Sequence, residues 1–130
     1  MKEITKSWLE LAKKDLATVK ELINNEYLSN IAAFHAEQCI EKSFKAVLEE
    51  KGPEIPKIHD LIKLYQLIKV KIKYNIKDIE SLQDLNKLYI ESRYPPALGL
   101  MTYGNPSKKD IERFLSLAKA VYLKIKKELK

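Results

Sequence analysis

The sequence predicts an all-α fold, an up-and-down bundle of four to five antiparallel helices. Three observations point there: apolar residues recur every three or four positions, no stretch alternates with the period of two that a strand requires, and 3 Gly with 5 Pro are too few for a turn-rich β protein. At 130 residues and 45% hydrophobic content, one domain over residues 1–130 is expected, long enough to bury about two thirds of its extended surface.

The first helix spans about Thr5 to Asn24, with Ile4, Trp8, Leu11, Val19 and Leu22 on one stripe. The second runs from about Leu28 to Lys51 and stops at Gly52 and Pro53. Its broad apolar face holds Leu28, Ala32, Ala36, Cys39, Ile40, Phe44 and Val47, while Phe34 and Leu48 lie opposite. A helix with two apolar faces is central or sits at an interface, which suggests a homodimer. The third helix, about His59 to Lys71, carries Leu61, Leu64, Tyr65 and Ile68. The fourth runs from about Ile76 to Arg93, because Pro95 and Pro96 push the preceding residue out of helical geometry. Ser107 and Asp110 form a capping-box pattern for the fifth, whose stripe is Ile111, Phe114, Leu115, Ala118, Tyr122, Ile125 and Leu129. Short connections among the first four favour antiparallel neighbours. The loop from Tyr94 to Pro106 is long for such a bundle, and loops of that length are often functional.

Composition excludes several classes. A single cysteine, Cys39, rules out an intramolecular disulfide framework and a multi-thiolate zinc site and agrees with a reducing compartment. The N-terminal segment has charge every few residues and no apolar stretch long enough for a signal peptide or membrane span, so a cytoplasmic protein without membrane contact is expected. The two histidines, His35 and His59, fall on different helices without metal-ligand spacing. GxxxxGK[ST], GxGxxG and GxSxG are absent, which removes the common nucleotide cradles and the esterase elbow. No metal, cofactor or catalytic residue is therefore assigned. The balance of 24 basic against 18 acidic residues gives +6 and favours anionic partners such as nucleotides or RNA; the alternative is a solvated Lys/Glu surface, since only two of the 24 cations are arginines.

Polar residues that land on apolar stripes carry more information, because a buried charge is costly unless partnered. Stepping about 100° per residue places Asp15 within the first helix's stripe, and Asn86 and Arg93 among Ile79, Leu82, Tyr89 and Ile90 of the fourth. An inward guanidinium needs a carboxylate, carbonyls or a bound anion. Two readings follow: an Asp15–Arg93 tie that sets helix register, or a groove in which Arg93 contacts phosphate. On the second helix, His35, Gln38, Lys42 and Lys45 form a strip that could hold an anion, or an ordinary solvated face with Glu41 and Lys45 paired. His59 and Asp60 open the third helix, where a carboxylate is favourable as a cap and His59 could serve as a base.

Three segments together, FHAEQCIEKSFKAVL from Phe34 to Leu48, IHDLIKL from Ile58 to Leu64 and ESRYPP from Glu91 to Pro96, with W-L-x-x-A-x-x-D-L from Trp8 to Leu16, resemble the HEPN domain family. The resemblance implies a usually dimeric helical bundle similar to the C-terminal domain of kanamycin nucleotidyltransferase. It also implies nucleotide or RNA binding and pairing with a minimal nucleotidyltransferase in a toxin–antitoxin module. In that pattern the second-helix motif falls on Gln38, Glu41, Lys42 and Lys45, the start of the third helix on His59, and the Arg-Tyr-Pro motif on Arg93, Tyr94 and Pro95. Ribonuclease members carry an Arg followed four to six residues later by a His. Here no His follows His59, so the nuclease motif is missing. The expected ligand groove comprises Gln38, Lys42, Lys45, His59, Arg93 and Tyr94, with Asp15 and Asn86 as buried polar support. The alternative is a ribonuclease toxin with an atypical site, in which folding or the partner subunit brings His35 or His59 beside Arg93.

Overall fold

The computed structural model describes residues 1–52, 55–91 and 105–130 and contains five helices: α1 Glu3–Leu22, α2 Ser29–Lys51, α3 Leu61–Lys69, α4 Ile79–Glu91 and α5 Lys108–Glu128. A short 3-10 turn, Glu26–Leu28, joins α1 to α2, and the Asn25 side chain accepts from the Leu28 N–H at 3.2 Å. There is no strand among the described residues.

α2 is the axis of the bundle and packs against α1, α3, α4 and α5. Its sequence explains this position, since Ala32, Ala36, Cys39, Ile40, Phe44 and Val47 are all fully buried. Small residues let α1 and α5 approach closely, and Phe44 fills the space toward α3 by stacking on Tyr65 at 6.1 Å. The second apolar side expected for α2 divides: Leu48 is buried in the core, whereas Phe34 stays partly exposed. Gly52 terminates the helix with φ −113 and ψ 163, so the chain leaves by turning extended and not through a left-handed glycine.

One helix start is closed by a neighbouring helix and three by side chains at their own ends. The α1 N-terminus lacks a side-chain cap of its own. Glu50 of α2 supplies the acceptor, receiving the Lys2 N–H and the Thr5 hydroxyl, both at 2.9 Å, while Lys2 Nζ donates to the Glu49 carbonyl. Those contacts bring the start of α1 to the end of α2 and so require the two to run antiparallel. Asp60 caps α3 by accepting from the N–H groups of Ile62 and Lys63, so the helix starts at Leu61, two residues beyond the expected His59. Asp78 accepts from the Ser81 N–H at 3.1 Å, and α4 begins at Ile79, later than the expected Ile76. Ser107 and Asp110 form the predicted capping box on α5. The loop between α3 and α4 is tied to the core by the Tyr65 hydroxyl, which accepts from the Ile76 N–H and donates to the Tyr74 carbonyl.

Two predicted stripes are rotated. In α1 the buried line is Leu9, Ala12, Leu16 and Val19, leaving Ile4 at 59% and Leu11 at 45% exposure. The cause is that α1 packs between α2 and α5, which selects a face the single-helix pattern cannot distinguish from its apolar neighbour. In α4, Leu82, Leu85, Leu88 and Tyr89 face inward, while Ile79 and Ile90 do not. The stripes of α3 and α5 are buried as the periodicity predicts, apart from a partly exposed Leu115.

Candidate functional site

The polar residues of α2 form a line that is closed on one side by α1 and at one end by the segment preceding α3. Asp15 projects from α1 into this line because the stripe containing it lies at the edge of the α1–α2 contact. Its carboxylate binds two α2 side chains, Oδ1 lying 2.9 Å from His35 Nδ1 and Oδ2 accepting from Lys42 Nζ at 2.7 Å. Further along α2 the pattern repeats with different supports. Glu41, buried, accepts from Lys45 Nζ at 3.0 Å and sits 3.2 Å from His59 Nδ1. Each histidine therefore faces a carboxylate through Nδ1, which requires a proton on that nitrogen and leaves Nε2 for any exchange with a substrate.

Between the two sets lies Gln38, which donates to Glu37 Oε2 at 2.7 Å. Glu37 is fully buried and was not apparent as a site residue in the sequence. It shares its face with Glu41, Phe44 and Leu48 at steps of four, three and four. Acidic residues on an otherwise apolar line are the signal that could have marked it. Hydrophobic side chains frame the strip: Trp8 lies 5.8 Å from Lys45 Nζ, and Phe34 stacks on Tyr89 at 5.9 Å while meeting His35 edge-on.

The structure therefore brings Gln38, Lys42, Lys45 and His59 onto one face with Asp15. The strip is not simply cationic, because Asp15 and Glu41 match the charges of Lys42 and Lys45. Asp15 finds its described partners in His35 and Lys42, and the Asp15–Arg93 tie that the sequence offered as one reading involves a residue that is not described. Arg93, Tyr94 and Pro95, and the long loop up to residue 104, lie outside the described residues. Asn86 stands apart from the strip as an internal brace: its Oδ1 accepts from the Leu61 N–H at 2.9 Å and its Nδ2 donates to Asp60 at 3.2 Å, locking the start of α3 to α4. No group of three or more His, Cys, Asp and Glu side chains could hold a metal among the described residues.

Cys39 lies behind the strip. Burial pushes its thiol up to about 12, with the Asp15 charge adding to the effect, so it is held as an uncharged packing group at neutral pH. No described helix is long and apolar enough to cross a membrane.

Fold and site together define a helical-bundle domain organised around one central helix that is apolar toward the core and carries a polar strip. The chain belongs to the HEPN domain family, which it matches over residues 5–129. Two solved structures are similar to it. TT1696 from Thermus thermophilus aligns with a TM-score of 0.82 and 21% identity, over 98% of this chain and 100% of that one. ST0689, an archaeal HEPN homologue, aligns with a TM-score of 0.72 and 21% identity over 100% of both chains. No curated protein matches the chain.

Proposed function

We propose that the chain is a binding module that associates through the outer face of α1, α2 and the end of α4, as a homodimer and as the partner subunit of a minimal nucleotidyltransferase. A nucleotide phosphate is received beside Gln38, Lys42, Lys45 and His59 with the help of Arg93 and Tyr94. The observation that supports this reading is the contrast within one face. The polar groups are engaged with one another, whereas Leu11, Ile31, Phe34 and Ile90 remain 40–47% exposed around them. A scatter of single apolar residues needs no explanation, but these follow the edges of a polar line whose ion pairs already lack full contact with water. Covering that face with a second chain buries the apolar frame and further desolvates pairs whose charges are already balanced. The resemblance read from the sequence supplies the nucleotidyltransferase and the nucleotide as ligand classes.

Light scattering across a range of micromolar concentrations tests the association. The parent protein is expected to run as a dimer and the Leu11→Lys, Phe34→Lys double variant as a folded monomer. A parent that stays monomeric at every concentration overturns the interface. Isothermal titration with nucleoside triphosphates tests the second part, and absence of heat with the parent protein rejects it.

One observation favours a nuclease as the second reading. His35 and His59 are both oriented by carboxylates through Nδ1, the arrangement that fixes a tautomer able to act as a base at Nε2. Incubation with total RNA separates the two readings. Cleavage by the parent that disappears in His59→Ala or His35→Ala supports the nuclease, and intact RNA removes it.

A further inference from the structure

Positive charge is concentrated on a face of the bundle that the α2 strip does not reach. Lys6, Lys13 and Lys20 follow one line of α1 at seven-residue intervals. Lys13 precedes Asp15 by two residues, about 200° of helical turn, so this line looks away from the strip. It borders a groove between α1 and α5 whose other bank carries Lys119, Lys126 and Lys130. The ends of the groove pair residues near the start of α1 with residues near the end of α5, so the helices run antiparallel and the two lysine rows face each other along their length.

All six lysines are exposed, and the groove they line contains one acidic residue, Glu10. The whole chain carries a formal charge of +6, so a large share of the imbalance falls along this line. Lys6 also contacts Glu3 at 3.1 Å, whereas no ion pair among the described residues engages the other five. This differs from Lys42 and Lys45, whose charges are matched by Asp15 and Glu41. Lys126 Nζ also sits 5.9 Å over the Tyr122 ring, which orients it on the bank of the groove.

The geometry points to a binding site for the phosphodiester backbone of a nucleic acid along the α1–α5 groove, where two facing rows of three lysines run for about 21 Å on α1 and about 16 Å on α5 at a rise of ~1.5 Å per residue. An acidic amphipathic helix fits less well. Leu9, Leu16 and Tyr122 on the floor are only 5–6% exposed, so the apolar area a docking helix could cover is confined to Met1 and Leu123 at the margins and does not form a continuous stripe. A phosphate chain needs no such floor; it needs spaced, unneutralised cations that release condensed counterions on contact. This site is independent of the proposed interface, because it lies on the opposite side of α1.

Fluorescence anisotropy with a labelled single-stranded RNA and, separately, a duplex DNA of equal length tests the assignment on the full chain. Binding is expected to weaken by roughly a hundredfold or more between about 50 and 200 mM salt, the behaviour of about five phosphate contacts. The slope and relative affinity of the two arms identify the preferred backbone. The Lys13→Glu, Lys126→Glu double variant is expected to bind at least about tenfold more weakly and with a shallower salt slope. Lys63→Glu with Lys71→Glu, which changes net charge equally on exposed positions of another face, is expected to stay within about twofold of the parent. Circular dichroism establishes that both variants fold. No binding to either nucleic acid, equal losses in both double variants, or equal competition by poly-glutamate would each overturn the site.

Discussion

Replacing Asp15 by alanine removes the acceptor shared by His35 and Lys42. Each contact is a hydrogen bond to a charged group, and bonds of that kind contribute about 1.5–3 kcal/mol where water is excluded. Asp15 is 9% exposed, but Lys42 keeps 20% and His35 29%, so both partners can recover part of their hydration once released. Scaling the two bonds down for that access gives a loss of about 2–3 kcal/mol. In a domain of this length each kcal/mol moves the melting temperature by roughly 4 °C, so Tm should fall by about 8–12 °C. Urea unfolding followed by far-UV circular dichroism at fixed protein concentration measures the free energy directly. Lys42→Met should cost less, because Asp15 retains His35. The Asp15→Leu, Lys42→Met double variant should recover much of the loss, since well-packed apolar groups often replace a buried pair at little cost. A loss below about 0.5 kcal/mol for Asp15→Ala would refute the reasoning, as it would place the pair among surface salt bridges that contribute almost nothing.

Other outcomes follow from the same structure. Asn86→Ala strands the buried Leu61 N–H and removes a donor to the Asp60 cap, so a loss of about 2 kcal/mol is expected in the same unfolding assay. Cys39 should resist a thiol reagent at mildly alkaline pH in the native protein and react on addition of denaturant, because a thiol raised to about 12 presents almost no thiolate. Acid stability should report three capping carboxylates. Hydrogen bonds from Lys2 and Thr5 lower Glu50, and the Ser81 hydroxyl, with its N–H, lowers Asp78. For Asp110, burial acts upward but is outweighed by Ser107 and Arg113. A lowered folded value means stability is present above the unfolded value, near 3.8 for Asp and 4.5 for Glu, and is lost as pH falls through the folded one. Melting temperature should therefore drop below about pH 4.5, and the drop should be smaller in Glu50→Gln.

The helices, their order and most of their ends were legible in the residues. Periodicity located five helical segments, and short polar side chains beside apolar runs marked Asp60 and the Ser107–Asp110 box as starts, because capping is a local contest between a side chain and the backbone groups next to it. Asp15 stood out because a carboxylate on an apolar line must have a partner, whichever partner that is. Naming the partner was beyond a linear reading. His35 and Lys42 lie 20 and 27 residues away, and nothing in a single helix distinguishes them from other basic groups.

The rotation of α1 shows the same boundary. Its sequence carries two adjacent apolar lines, and each alone would satisfy the periodicity. Packing between α2 and α5 buried Leu9, Ala12 and Leu16 and left Ile4 and Leu11 at the surface. The lysines divide in the same way. Composition counts them all as equal charges and helical spacing already pairs Lys45 with Glu41, but only the tertiary arrangement matched Lys42 with Asp15 of α1 and ranged six along a groove between α1 and α5. The sequence alone determined that these side chains exist at helical spacing, because that depends on neighbours three and four residues away. Which are neutralised and which face open water depends on helices distant in sequence, since electrostatic energy is set by separation in space and by the solvent between.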